Sequence, residues 1–335
     1  MAFKNVGTFD LRNETMPGFS KPCAMMDAAG IASGQAFLES ELEKRDMLVR
    51  TPLTSFTYTR DIPIRVGGGW AEFVSAMNVG YGVTGGSGDG IIQAAAVDGI
   101  PLIQANFGKD LWKTHIISMG TRVFWVDMQR GNLTGRNIDT LLRDGLRMAY
   151  DKHMDENVYA GFAKYGSTGL INNSAVTVNS ANGTWSTSTV DEILDDVNSS
   201  VLDAWEASGY DLDAIPNHIL LPYEQFNYIA TTMVTSLAEK SILTYIRENN
   251  VAKNYGVDVV FGATAWCKGA GAGSTDRMVT YCNKERFVAV DELVPITRAM
   301  TTPNAERFSY DTAYAGNVSE VELFYEQTMI YTDGI

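Results

Sequence analysis

Histidine and cysteine, the residues that most often build catalytic and metal centres, are nearly missing from this 335-residue chain, which holds three of each. Cys23, Cys267 and Cys282 are odd in number, widely spaced and without a Cys-x-x-Cys pair. That excludes a disulfide framework and a structural zinc site, and leaves buried free thiols as the expectation. His115, His153 and His218 are scattered, and none has a second histidine or cysteine three or four residues away. No Gly-x-Ser-x-Gly elbow, His-Glu-x-x-His pair or Walker motif occurs. No catalytic residue, cofactor or metal is therefore assigned from these residues.

Long apolar runs are missing too. Gly, Pro or charge interrupts every run well short of about 18 residues, so no membrane-spanning helix is expected. The first residues, Met1 to Glu14, lack the apolar core of a secretory signal, which implies synthesis and folding in a cytoplasm. With 45% apolar and 20% charged residues the chain has enough material for one large or two modest cores.

Lys and Arg are absent from Tyr165 to Glu239, where Asp191, Glu192, Asp195, Asp196, Asp203, Glu206, Asp211, Asp213, Glu224 and Glu239 carry most of the formal charge of −14. Residues 109 to 152 are the opposite, with Lys109, Lys113, Arg122, Arg130, Arg136, Arg143, Arg147 and Lys152 outnumbering their acids. Such polarity lets one surface face a polyanion while another repels it.

What the chain does have is one long helical pattern over 137–162. Ile138, Leu141, Leu142, Leu146, Ala149, Met154, Val158 and Phe162 fall mostly three or four apart, with Leu142, Leu146 and Val158 expected to face the core. Asn137 is placed to cap the start, Asp139 lies in the first turn, and Gly166 is the expected stop. Such a helix is about 39 Å long.

Around it, residues 1–30 read as an extended arm and 34–49 as a short amphipathic helix through Phe37, Leu38, Leu42 and Leu48. Phe56, Tyr58, Ile62, Ile64 and Val66 then fall on alternate positions, predicting a half-buried strand. Gly67, Gly68 and Gly69 turn it, and Trp70 to Met77 return alongside as a hairpin. Two strands cannot bury both faces unaided. Gly80 to Gly90 reads as a flexible loop and not a phosphate loop, because the nearby Gly108-Lys109 is followed by Asp110 and position 103 is Ile103. Residues 98–126 read as strands, and Asn172 to Ser188 as a polar hairpin or loop. Thr189 and Glu192 form a capping box ahead of Ile193, Leu194, Val197, Val201 and Trp205. His218 to Leu221 reads as a buried strand, followed by helices from Pro222 to Thr231 and from Ser236 to Asn250. Gly256 to Phe261 and Arg277 to Cys282 are expected to pair as a hairpin, with final strands in 287–331.

Three further patterns weigh little. Asp211 and Asp213 lack the frame of a calcium loop and suit a turn. Asp195 and Asp196 point about 100° apart on a helix and form no dyad. The 15 Tyr and 6 Trp lie among apolar neighbours and not among basic residues, which favours packing over nucleic-acid stacking.

The aromatic run Arg122 to Val126 before the long helix, and Gly166-Ser-Thr-Gly-Leu-Ile-Asn-Asn173 after it, resemble the major capsid proteins of tailed double-stranded DNA bacteriophages. With the C-terminal strand pattern, the resemblance extends over residues 35–335. It implies an α+β chain of the Hong Kong 97-type capsid fold, which encapsulins share. Residues 1–49 would be the N-terminal arm and short helix, and 50–119 an extended β-hairpin loop. Residues 120–170 would be a peripheral domain with the spine helix, 171–290 an axial α/β domain, and 291–335 strands returning to the peripheral domain. The implied function is a structural head protein, assembled in the host cytoplasm into pentamers and hexamers of an icosahedral shell around phage double-stranded DNA. An encapsulin-like nanocompartment shell is the alternative, and a soluble enzyme a more distant one. Scaffold, portal and decoration proteins are the implied partners, the scaffold as a separate chain because the sequence opens at Met1 without a long leading region. The hairpin residues Phe56, Tyr58, Ile62, Ile64, Val66, Gly68 and Trp70 are expected to lie between subunits.

Overall fold

The computed structural model describes residues 55–84, 102–134, 138–234 and 240–335. The expected arm, the helix at 34–49, Gly85 to Gly90 and residues 236–239 lie outside these. Among the described residues the longest helix lies where the long helical pattern was expected. After helices α1 (Tyr58–Asp61) and α2 (Trp125–Thr134), α3 spans Ile138–Ala160. Leu146, Tyr150, Met154 and Val158, spaced by four, are its buried stripe, whereas Leu142 is only half-buried and Leu141 exposed. The helix ends at Gly161, in the left-handed conformation, and not at Gly166. α2 begins on Trp125 and Val126, which were expected to be strand.

The polar motif after α3 is a capping device. Leu170 and Ile171 donate their amides to the carbonyls of Val158 and Tyr159 at 2.8 and 3.1 Å. Asn172 spans the gap, its Nδ2 donating to the Ala160 carbonyl at 2.8 Å and its Oδ1 accepting from the Gly169 amide at 2.6 Å. The carbonyls that a helix end leaves open are thereby used.

Twelve strands of the described residues form three sheets. In the largest, the order is β4 (Thr177–Ser180), β12 (Met329–Asp333), β7 (Arg277–Tyr281), β5 (His218–Pro222), β6 (Val260–Thr264). Alternation of side chains divides its residues between two cores. Val279, Tyr281, Met329 and Tyr331 join Tyr150, Met154, Val158 and Tyr159 of α3. Met278, Ile219 and Leu221 join Ile193, Val197, Val201 and Trp205 of α4 (Val190–Ala207), Ile229 of α5 (Tyr223–Thr231) and Ile246 of α6 (Ile242–Asn249). The capping box at Thr189 forms as its spacing predicts, Glu192 accepting from the Thr189 amide at 2.7 Å. Four-residue α7 (Val251–Asn254) follows α6.

This sheet corrects one expectation. β6 and β7 are not a hairpin: β5 lies between them, parallel to β6 and antiparallel to β7. A sheet covered on both faces keeps its apolar strands off the edges, and β5, buried throughout, is an interior strand. The last strand, β12, is a member of this sheet, paired with β4 and β7, and not of the sheet that holds β9 (Val294–Asn304) and β10 (Ser309–Ser319), although its Met329 and Tyr331 reach the core of α3.

β9 and β10 continue the second sheet, ordered β2 (Phe73–Thr84), β3 (Leu102–Phe124), β10, β9. The third is β1 (Ile64–Val66), β8 (Val288–Glu292), β11 (Glu322–Leu323).

The strand expected over Phe56 to Val66 is replaced by α1 and β1, and the hairpin about Gly67 to Gly69 does not form. β1 pairs in parallel with β8, Ile64 beside Val290. Two buried carboxylates impose this. Asp155 of α3 accepts the Thr57 and Tyr58 amides at 3.0 and 3.2 Å, fixing the start of α1, and Trp266 Nε1 at 2.7 Å. Asp61, fully buried, accepts from Arg60 Nε at 2.5 Å, from Tyr159 and from His218 Nε2, 3.0 Å away. Burial raises the Asp61 carboxyl, but the hydrogen bonds from His218, Arg60 and Tyr159 outweigh it and hold the group below its ordinary 3.8.

Candidate functional site

β3 is one strand with two environments. From Thr114 to Phe124 it pairs with β10, and its residues alternate between half-buried and exposed, Ile117 and Met119 lying against the core. From Leu102 to Lys113 its ladder partner is β2 alone, Phe73 opposite Lys113 and Thr84 opposite Leu102. Every residue from Leu102 to Leu111 is exposed. The result is a two-stranded ribbon whose base is built into a four-stranded sheet and whose outer part, among the described residues, has no covering layer.

Register makes its two faces unlike. Directly opposed residues share a face, and alternate residues along each strand share it too. Phe73, Met77, Val79 and Tyr81 of β2 therefore lie on the same face as Ile103, Phe107 and Leu111 of β3, together with Lys109 and Lys113. The other face carries Asn78, Gly80 and Gly82 opposite Gly108, Asn106 and Gln104. Met77, Tyr81, Ile103 and Phe107 are 72–78% exposed. A mostly apolar exposed face of this kind is a candidate interaction surface, since an isolated ribbon is marginal in water.

The root of the ribbon is tied down by hydrogen bonds and ring contacts. Gly67, Gly68 and Gly69 all have positive φ, which only glycine adopts freely, and they swing the chain from β1 into β2. Amides of Gly67 and Gly69 donate to the Glu292 and Leu293 carbonyls at 3.2 and 3.3 Å. Asn317 Nδ2 donates to the Ala71 carbonyl at 3.0 Å, and the Thr114 hydroxyl to the same oxygen at 2.7 Å. Trp112 packs edge-on against Phe324, 5.2 Å between ring centres. Arg65 donates to Asp291 Oδ1 at 2.5 Å and to Glu322 Oε2.

The residues singled out in the sequence divide accordingly. Tyr58 and Ile62 lie in the chain's own core, and Phe56 and Ile64 are half-buried against it. Val66, Gly68 and Trp70 are exposed at the ribbon's root. Leu146 and Val158 are buried on α3, Leu142 less so. The ribbon face itself was missed. Its signal was the alternation of Phe73, Met77, Val79 and Tyr81, hidden because the glycines at 80 and 82 read as a loop.

Among the described residues, no group of three or more His, Cys, Asp or Glu side chains is arranged to hold a metal, and no helix is long and apolar enough to cross a membrane. Cys267 and Cys282 are buried free thiols; burial pushes Cys267 far up and Cys282 to about 11, so neither is a ready nucleophile.

A family model described as major capsid protein matches residues 88–335. The fold is similar to that of a chain from the capsid of Myoviridae phage XM1, with 16% identity, 88% of this chain and 98% of that chain covered, and a TM-score of 0.75. A chain from the capsid of the native GTA particle is 9% identical over 87% of this chain and 94% of its own, with a TM-score of 0.62. One from Microbacterium phage Oxtober96 is 12% identical over 86% and 92%, with a TM-score of 0.57. At such identities the likeness is one of fold. None of the curated proteins matches the chain.

Proposed function

The chain belongs to the major capsid protein family, and from that premise we propose that it builds its shell by laying the apolar face of the β2–β3 ribbon on a neighbouring copy of itself. It is a structural protein of a phage capsid. The single observation carrying the proposal is the exposure of Met77, Tyr81, Ile103 and Phe107 on one face of a ribbon rooted in the body. A second copy supplies the missing layer, and burial of each large side chain contributes roughly 1.5–3 kcal/mol. Repetition around closed rings then gives pentamers and hexamers of an icosahedral shell. In this reading, assembly takes place in the host cytoplasm, with scaffold, portal and decoration proteins as separate chains, and double-stranded DNA fills the shell. The family match and the phage capsid neighbours do not favour an encapsulin-like compartment.

The acid-rich stretch is assigned to surfaces away from the DNA. Asp191, Glu192 and Asp195 are exposed on α4, and like charges within about 10 Å of a polyanion repel it. Asp196 is not part of that surface: it is buried, accepting from the Asn182 amide and Trp185 Nε1, both at 2.9 Å.

Electron microscopy and sedimentation of the expressed chain test the reading. Capsomers or closed shells are expected; a small, monodisperse oligomer with the ribbon face still exposed would overturn it.

A further inference from the structure

The root of the ribbon contains a charge arrangement that packing does not require. Arg65, the only cation facing this group among the described residues, is shared by two carboxylates, Asp291 from the adjacent β8 and Glu322 from β11 on the far side. Glu322 is fully buried, and its Oε1 has no hydrogen-bond partner. The groups facing Glu322 are Arg65 from β1, Asp291 from β8 and the Ser319 hydroxyl from β10. An unpaired oxygen on a buried carboxylate costs folding energy in the ionised form and far less in the neutral acid. Arg65 also lies over the Phe324 ring, 5.4 Å from its centre, and Phe324 packs on Trp112 of the ribbon. The residue that meets both carboxylates is thus two positions from Gly67, where the chain turns into the ribbon.

We propose that Glu322 makes the ribbon's root a protonation-dependent latch. With Glu322 neutral, Arg65 pairs with Asp291, β1 stays zipped to β8, and the ribbon is held as described. With Glu322 ionised, two carboxylates confront one guanidinium in a buried site, and the root relaxes by β1 parting from β8 and the chain swivelling about Gly67, Gly68 and Gly69.

The electrostatics agree with the geometry. Burial, then repulsion from Asp291, push the Glu322 carboxyl up to about 7, with Ser319 and Arg65 pulling the other way. A carboxyl raised in the closed state and ordinary in the open state favours closing at low pH. The open fraction grows as pH rises from about 4.5 through 7 and then levels, since the open state has released its proton while the closed state still holds it.

Hydrogen–deuterium exchange on the full-length, unassembled chain tests the latch, read at the amides of Arg65 to Gly69 and corrected for intrinsic exchange. In the wild type, protection should fall by about tenfold between pH 6 and pH 8. Glu322→Gln, which is always neutral, should abolish that change while leaving protection of β5 and β7 as it was. Asp291→Asn should shrink it, because the repulsion that raises Glu322 is gone. A wild-type profile flat over this range, or an equal fall in Glu322→Gln, overturns the proposal. So does a fall spread evenly over β5 and β7, which would mean global loosening.

Discussion

Gly169 lies against Tyr159 so closely that a Cβ on the glycine would stand 2.3 Å from the tyrosine carbonyl oxygen. This contact locks the loop after α3 onto the helix's last turn, where Leu170 and Ile171 take up its carbonyls. Neither backbone can yield without breaking those bonds. Gly169→Ala should therefore destabilise the chain by about 3 kcal/mol or more. Urea unfolding followed by circular dichroism measures it; an unchanged midpoint would show that the loop has room to shift.

Asp61 predicts a pH dependence of opposite sign to that of Glu322. Its carboxyl lies below its ordinary value in the folded chain, so it adds stability above about pH 4 that is lost as pH falls through the folded value. Asp61→Asn should lower stability at neutral pH by about 2 kcal/mol. It should also flatten the acid limb of a stability-against-pH curve below pH 5. Parallel acid limbs in the two proteins would contradict the role given to this carboxylate.

Leu146 is buried on α3, so a carboxylate placed there would lose its water. Leu146→Asp should prevent soluble folding, since burying an unpaired charge costs several kcal/mol. Soluble expression is the measurement, with Leu141→Asp, on the exposed side of the helix, as the tolerated control.

Phe107→Asp and Tyr81→Asp should separate folding from assembly. Both side chains are mostly exposed in the single chain, so subunit stability should change by no more than about 0.5 kcal/mol. Shell yield, counted by electron microscopy, should fall steeply because the charge would be buried against a neighbour. Normal shells from both variants would remove the ribbon face from the interface.

Local spacing alone was enough for the elements whose determinants are local. The four-residue stripe of α3, the capping box of α4 and the apolar run of β5 are carried by neighbours within one or two turns, and each forms close to its expected place. The glycine motif after the long helix was recognisable as a pattern, but its work, Asn172 spanning Ala160 and Gly169, became visible only with the backbone folded back.

Strand partnership was not legible in this way. Residues 56 to 66 alternate like a strand, yet Asp155 and Asp61 bend their first half into α1, and β1 finds its partner at Val290, not at Trp70. Likewise β5 separates β6 from β7, although the chain runs directly between the latter two. A strand's hydrogen-bonding edges carry no address in its own residues; the choice is made by which pairing buries most apolar surface and leaves fewest polar groups unpaired. The same reason governs the ribbon. Alternation along 73–81 and 103–111 defines an apolar face, but whether that face is covered depends on the layers the rest of the chain supplies, and only the tertiary structure decided that, among the described residues, none reaches it.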